Sequence, residues 1–134
     1  MSGALRKALR DAVSDAMLTL PQFQKFSAWQ QTVDASALPG WAVAIPNSRH
    51  SRQDNIGTTE HSPMLVIVLK RAGSAETLED DLDDDADEIV PLIISATKTN
   101  EIDCELVETA QRVDRSGAEP IGTLTLQFQI TTYL

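Results

Sequence analysis

The chain has 134 residues, of which 42% are hydrophobic and 23% charged, with a formal net charge of −9. These proportions are typical of one globular domain, long enough to bury roughly two-thirds of the surface of the unfolded chain. One cysteine excludes an internal disulfide framework, and there is no concentrated basic patch of the kind that nucleic-acid-binding proteins carry. The N-terminus lacks the apolar core of a secretion signal, and no apolar run approaches the ~20 residues of a membrane span. We therefore expect a soluble intracellular protein with a single domain over residues 1–134.

The N-terminal part of the chain predicts one helix and one short strand. Over residues 3–18, apolar side chains recur at every third or fourth position and charged side chains fill the opposite side, as in an amphipathic helix. Pro21 ends this helix, because proline lacks the backbone N–H that a helix interior requires. Residues 23–33 are ambiguous, and the apolar pattern around Phe26 favours a short strand.

Two β-rich segments follow, separated by a polar stretch. In "WAVAIP", which begins at Trp41, large apolar residues alternate with alanines, as in a strand that is covered on both faces. The segment "MLVIVLK" (64–70) is apolar and rich in β-branched residues, which predicts a central strand. Residues 47–62 between them are polar except for Ile56 and predict a long loop, either functional or an unconstrained surface feature.

The excess negative charge lies in one acidic segment. Of the 20 acids in the chain, nine fall within residues 76–88, which contain no base, so the rest of the chain balances its 11 bases. Such a run could be a metal site, a catalytic cluster, a disordered tail or one face of a helix. A calcium-binding loop requires glycine at its sixth position and glutamate at its twelfth. Counted from Asp81, those positions hold Ala86 and Leu92, so the calcium interpretation fails.

The same segment has helical periodicity over residues 76–95. Its apolar residues fall on one stripe, and the acids occupy the other positions. The stripe consists of Leu78, Leu82, Ala86, Ile89, Val90 and Ile93. Ser74 is a candidate N-cap, and Pro91 should kink the helix or begin a new turn. We interpret the acidic run as the solvated face of a helix.

The C-terminal third predicts two strands. In "EIDCELVETAQRV", Ile102, Cys104 and Leu106 point inward, and the alternation then slips by one at Val107, as a β-bulge would produce. In "TLTLQFQITTYL", leucine, phenylalanine and isoleucine alternate strictly with threonine and glutamine. The predicted fold is therefore α+β, with a largely antiparallel or mixed sheet of four to five strands and helices packed on one face.

Residues that could carry chemistry are few. The six glycines are isolated, so there is no glycine-rich phosphate loop, and no serine lies in a nucleophile elbow. Cys104 could pair with His50 or His61, but its place on an apolar strand face favours a buried structural residue. Two histidines and one cysteine without tight spacing do not predict a zinc site. We expect no catalytic residue, metal or cofactor, and no enzyme activity.

The whole chain resembles the tail terminators of long-tailed bacteriophages, the lambdoid gpU-like group. The resemblance begins with an N-terminal helix of the "LRKALRDAV" type, the "LPGWAVAIPNS" strand and the apolar strand "MLVIVLKR". It continues with the acidic segment "LEDDLDDDADEIVP", the turn "DRSGAEPIG" and the terminal strand "GTLTLQFQITTY". The order of these segments and the total length carry the resemblance, and the dense acid run departs from it.

The resemblance implies a structural virion protein in the neck region of the tail, assembled in the cytoplasm of the bacterial host. Tail terminators form hexameric rings that cap the tail tube, stop its polymerisation and present a surface to the head–tail connector. The implied partners are other copies of the chain, the tube protein and a connector protein, with DNA passing through unbound and no membrane contact. The alternatives are another neck component, such as a head-closure or tail-completion protein, or a small binding module without a virion role.

Two groups of residues become candidate sites under this resemblance. The first is an interface with a neighbouring subunit or the tube, formed in the polar stretch by Arg49, Arg52, Gln53 and Ile56. The second is a set of acids lining the lumen or rim of the ring: Asp80, Asp81, Asp84, Asp85, Asp87 and Glu88. Acids facing the lumen would discourage DNA from adhering during passage, whereas acids on the rim would only favour solubility.

Overall fold

The computed structural model describes residues 2–25, 39–52, 59–74, 76–99, 102–115 and 119–133, with the backbone alone for 2–3, 47–52, 59–62 and 133. The elements are α1 (Ser2–Met17), β1 (Gln24–Lys25), β2 (Gly40–Arg52), β3 (Thr59–Ala72), α2 (Leu78–Thr97), β4 (Ile102–Asp114) and β5 (Ile121–Tyr133). The strands form one sheet in the order β1-β2-β3-β5-β4. β1 is parallel to β2, and all other neighbouring pairs are antiparallel. The predicted α+β fold with helices packed against a mixed sheet is confirmed.

The hydrophobic core lies between the sheet and the two helices. β3 and β5 are the central strands, and their alternate residues are fully buried, as the strict apolar alternation predicts. These residues are Leu65, Ile67, Leu69, Leu124, Leu126, Phe128 and Ile130. Trp41 on β2 is also in the core, with 1% of its surface exposed. The helices contribute the opposing apolar stripe, and α1 is further tied to β2 by Arg6, which donates a hydrogen bond to the carbonyl of Ile45.

The N-terminal predictions agree with the structure where it describes the chain. α1 ends at Met17, before Pro21, and buries Leu9 and Val13. A two-residue strand, β1, lies within residues 23–33, and the strand predicted around Phe26 stays a prediction, because Phe26 lies outside the described residues.

The prediction of a long polar loop over residues 47–62 is wrong for 47–52 and 59–62, and residues 53–58 lie outside the described residues. β2 and β3 extend into this stretch as an antiparallel pair, with Asn47 opposite Met64 and Arg52 opposite Thr59. Backbone hydrogen bonds of a strand pair do not require apolar side chains, so a polar hairpin has the composition of a loop. One extra residue on β2 between Ala44 and Asn47 forms an irregularity that contains Pro46, a residue that cannot donate a ladder hydrogen bond.

α2 follows the predicted apolar stripe but begins later than Ser74 indicated. Its N-cap is Thr77, which makes no side-chain capping hydrogen bond, so the prediction of Ser74 as N-cap is wrong. The Ser74 hydroxyl instead accepts a hydrogen bond from the backbone N–H of Glu76 at 3.2 Å, in the turn that precedes the helix. The helix continues past Pro91 to Thr97 as one element.

A glycine on β5 allows α2 to lie close to the sheet. A Cβ atom on Gly122 would be 3.0 Å from Leu82 Cδ1 and 3.3 Å from Leu78 Cδ2. Such distances are shorter than ordinary van der Waals contact between carbon atoms. Gly122 therefore sets the separation between the start of α2 and the strand beneath it.

Candidate functional site

The exposed face of α2 is acidic along its first three turns. Of the acids predicted to be solvated, Asp80, Asp84, Asp87 and Glu88 are exposed and Asp81 is half-buried. Glu79 and Asp83 are exposed as well. No basic residue occurs in α2, so this face has a strong negative potential.

Asp85 does not belong to this acidic face, and its assignment to the lumen or rim of a ring is wrong. It is 5% exposed and accepts two hydrogen bonds from Arg71 at the end of β3. Nε donates to Oδ2 at 2.9 Å and Nη2 donates to Oδ1 at 2.8 Å, which is the bidentate geometry of strong arginine–carboxylate pairs. The Arg71 guanidinium also lies 6.0 Å from the ring centroid of Phe23, within cation–π range.

The spacing of the apolar stripe contains the signal for this ion pair. Leu78, Leu82, Asp85 and Ile89 follow one another at intervals of four, three and four, so Asp85 occupies a core position of the helix. A buried aspartate needs a cation, and Arg71 ends the central apolar strand beneath it. The hydrogen bonds to Asp85 raise the pKa of the Arg71 guanidinium, outweighing the lowering caused by its burial. The pair therefore holds α2 against β3, and neither side chain is presented as a reactive group.

An open cavity of about 520 Å³ lies between α2 and β4, and we call it the α2–β4 groove. Its lining residues are Asp83, Ala86, Asp87, Val90 and Pro91 from the helix and Leu106 and Thr109 from the strand. Apolar side chains thus provide most of the lining, and two carboxylates one helical turn apart provide the charge. The Asp83 carboxylate also accepts a hydrogen bond from the Gln111 side chain of β4.

Pro91, which lines this groove, leaves one carbonyl of α2 without its usual helical donor. Pro91 has no N–H, so the carbonyl of Asp87 four residues earlier lacks the donor that it would have in an ordinary helix. Both residues line the groove, and Pro91 is exposed. The groove therefore combines an apolar lining with two carboxylates, which accept hydrogen bonds from a cation.

β4 forms one edge of the sheet beside the groove. The predicted bulge is confirmed, since Leu106 lies opposite Phe128 and Glu108 lies opposite Gln127, leaving Val107 as the extra residue. Val107 is 45% exposed, an unusual degree for a large apolar residue in this molecule. Sequence analysis predicted the bulge but not the groove, because the groove depends on how α2 is placed across the strand.

Cys104 has the environment of a structural residue. It is 6% exposed on β4, and burial raises the pKa of its thiol despite a hydrogen bond with Thr97 that lowers it. A raised pKa keeps the thiol protonated and unreactive at neutral pH. His50 and His61 lie opposite one another on β2 and β3, a pairing that the sequence analysis did not predict.

The interface residues predicted in the polar stretch lie partly on the sheet. Arg49 is opposite Ser62 and Arg52 is opposite Thr59, so both are on the distal part of the β2–β3 hairpin. Gln53 and Ile56 lie outside the described residues. Their contact with a neighbouring subunit or a tube protein stays a prediction.

Within the described ranges, the His, Cys, Asp and Glu side chains form no group of three or more that could hold a metal ion. Neither described helix has the length and apolarity that crossing a bilayer requires. In comparisons with known proteins, the chain matches no family model and no curated protein.

Proposed function

We propose that the chain is a tail terminator of a long-tailed bacteriophage, a structural protein without enzyme activity. Six copies form a ring that caps the tail tube, stops its polymerisation and offers a surface to the head–tail connector. The observation that carries the proposal is the order of the segments that resemble this family. In the same order, "WAVAIPNS" falls in β2, "MLVIVLK" in β3, the acidic segment in α2 and "TLTLQFQITTY" in β5.

The distribution of charge over the sheet is compatible with a ring. A closed ring requires heterologous contacts, in which one patch of a subunit meets a different patch of the next. α2 packs over β4 and β5 and is acidic, whereas α1 packs over β2 and carries the bases Arg6, Lys7 and Arg10 as well as two acids. The two sides of the subunit thus differ in charge, which would favour contact between the acidic side of one copy and the other side of the next.

The acidic face of α2 gives the ring a second expected property. Six copies would multiply the net charge of −9 sixfold, and the exposed acids of α2 hold most of it. Salt screens charges over roughly 8 Å at physiological ionic strength, so only acids close to the channel would act on passing DNA. We propose that Asp80, Asp84, Asp87 and Glu88 face the channel and keep DNA from adhering.

Electron microscopy tests the ring directly. The purified chain is imaged by negative stain alone at high concentration, and after mixing with tail tubes built from the tube protein of the same genome. We expect sixfold rings on tube ends and a narrower distribution of tube lengths. Tubes that stay uncapped and continue to grow at the same rate would contradict the proposal.

A charge-neutralised variant tests the role of the acids. The variant D80N/D84N/D87N/E88Q removes four exposed acids from α2, and D11N/D15N/E105Q/E108Q removes four exposed acids from α1 and β4 as a matched control. Virions assembled with each variant are compared by the rate of DNA ejection. We expect slower ejection only for the α2 variant. Unchanged ejection with poorer solubility of the protein would place these acids on the rim.

A further inference from the structure

We propose that the α2–β4 groove and the free edge of β4 together bind an extended basic segment of another protein. The segment would add to β4 as a further strand and place one lysine or arginine side chain in the groove. This inference concerns the single subunit and does not depend on ring formation.

β4 is an edge strand among the strands that the structure describes. β5 pairs with it on one side, and no described strand pairs with it on the other. The side chains of Glu105, Val107, Glu108, Thr109 and Ala110 are exposed along this edge. Unpaired N–H and C=O groups of an edge strand are a template for an extended peptide, and this is a common mode of peptide recognition.

The charges along this edge select the kind of segment that can bind. Glu105 and Glu108 are exposed and pair with Gln129 and Gln127, so they lie on the face of the sheet away from the helices. The exposed acids of α2 lie on the other face, so both faces of the sheet carry negative charge near this edge. Like charges in directly opposed positions destabilise a strand pair, so the same edge of a second copy is repelled. Opposite charges attract, so a segment bearing lysine or arginine is favoured by the same residues. Charge complementarity therefore points to a basic partner.

The groove fits a long cationic side chain better than a small ion. Ala86, Val90 and Leu106 can cover the aliphatic stem of lysine or arginine, whose methylene groups pack on apolar surface while the charge reaches polar groups. The Asp83 and Asp87 carboxylates can then accept hydrogen bonds from the cationic head.

The groove and the strand edge can be occupied by one ligand. Leu106 and Thr109 line the groove and belong to β4 on either side of the bulge at Val107. A strand paired with this part of β4 would project every second side chain toward the helix side of the sheet, where the groove opens. An alternation of basic and uncharged residues is thus the pattern that the surface recognises.

Binding can be measured with the purified full-length chain and a fluorescein-labelled peptide in which lysine alternates with valine over ten residues. Fluorescence anisotropy should show saturable binding at low salt. A peptide with glutamate in place of lysine, and one with proline in place of two central valines, should not bind, because the first is repelled and the second cannot pair as a strand.

Two variants of the chain that each lose two negative charges distinguish binding by the groove carboxylates from nonspecific electrostatic attraction to the helix. D83N/D87N removes both groove carboxylates, and D80N/D84N removes two exposed acids of the same helix outside the groove. We expect D83N/D87N to weaken binding about tenfold, since charge-assisted hydrogen bonds are lost, and D80N/D84N to weaken it by less than about twofold. T109K, which puts a competing cation at the groove, should also abolish binding while leaving both carboxylates in place.

Several results would overturn the inference. Equal weakening by both double variants would mean general attraction, and equal binding of the proline-containing peptide would exclude strand addition. Absence of binding at low salt would exclude the docking surface itself. If sedimentation shows an oligomer of the free chain that D83N/D87N disperses, the occupant of the groove is a second copy. Circular dichroism of each variant checks that the fold is retained.

Discussion

Among substitutions of single polar residues, those that break the ion pair between Arg71 and Asp85 should destabilise the fold most. Asp85→Ala removes the acceptor of two hydrogen bonds, at 2.8 and 2.9 Å, and leaves the guanidinium without its partner. Breaking a fully buried pair in this way costs roughly 3–5 kcal/mol of unfolding free energy. Here the Arg71 side chain is 25% exposed and the Asp85 side chain 7%, so water can partly solvate the orphaned cation. We therefore expect a loss of about 2–3 kcal/mol, and a fall in Tm of roughly 10 °C for a domain of this size.

Urea unfolding followed by tryptophan fluorescence measures this loss, because Trp41 is 1% exposed in the folded chain. Asp84→Ala is the matched control, since Asp84 is the neighbouring residue of the same helix and is exposed. Both substitutions bring the same gain in helix propensity, so the difference between them isolates the ion pair. A difference of less than about 0.5 kcal/mol would refute the reasoning, because that is the contribution of an ordinary exposed pair.

The double variant R71M/D85L tests whether the stability lost on breaking the pair comes from an uncompensated buried charge. Replacing both partners by apolar residues leaves no buried charge, and such replacements are often neutral or stabilising. We expect the double variant to unfold within about 1 kcal/mol of the parent protein, although each single substitution is destabilising. If the double variant is as unstable as Asp85→Ala, the lost stability comes from packing and not from an uncompensated cation.

Three further substitutions probe other parts of the fold. Gly122→Val should lower the unfolding free energy by about 1–3 kcal/mol in urea titrations, because its side chain would overlap Leu82. Pro91→Ala should raise the free energy of unfolding by about 1–2 kcal/mol, because alanine is the better helix former and its N–H can bond the Asp87 carbonyl. Burial raises the pKa of the Cys104 thiol, so the unfolded chain ionises first as pH rises. Stability should fall between the ordinary thiol pKa and the raised one, and urea titrations of Cys104→Ala across that range should show no such fall.

The parts of the fold that were predictable are those in which burial dictates the sequence. β5 alternates because one face lies on the core, and a slip in the alternation of β4 was enough to place the bulge at Val107. α2 was predictable for the same reason, since its apolar residues recur at helical intervals. In each case the signal is the period of the buried residues, which depends on local geometry alone.

The features that could not be predicted depend on contacts between distant segments or on the backbone alone. Residues 47–52 and 59–62 are held by strand pairing that polar sequences can form as well as apolar ones, so their composition was mistaken for that of a loop. The spacing of Leu78, Leu82 and Ile89 marks Asp85 as a buried position, but no local pattern identifies Arg71 on β3 as its partner. The α2–β4 groove likewise requires the crossing of helix and strand, which no local pattern specifies.

Repulsion between the acids on the exposed face of α2 destabilises the helix. Asp80 and Asp84, Asp83 and Asp87, and Asp84 and Glu88 are like-charged pairs four residues apart, each destabilising by roughly 0.2–0.5 kcal/mol. Only the acids of the first turn are favourably placed against the positive end of the helix dipole. The apolar stripe and the Arg71 ion pair must therefore offset this repulsion. Neutralising the exposed acids should leave the fold at least as stable as before, so altered DNA ejection or peptide binding in those variants would report lost charge and not unfolding.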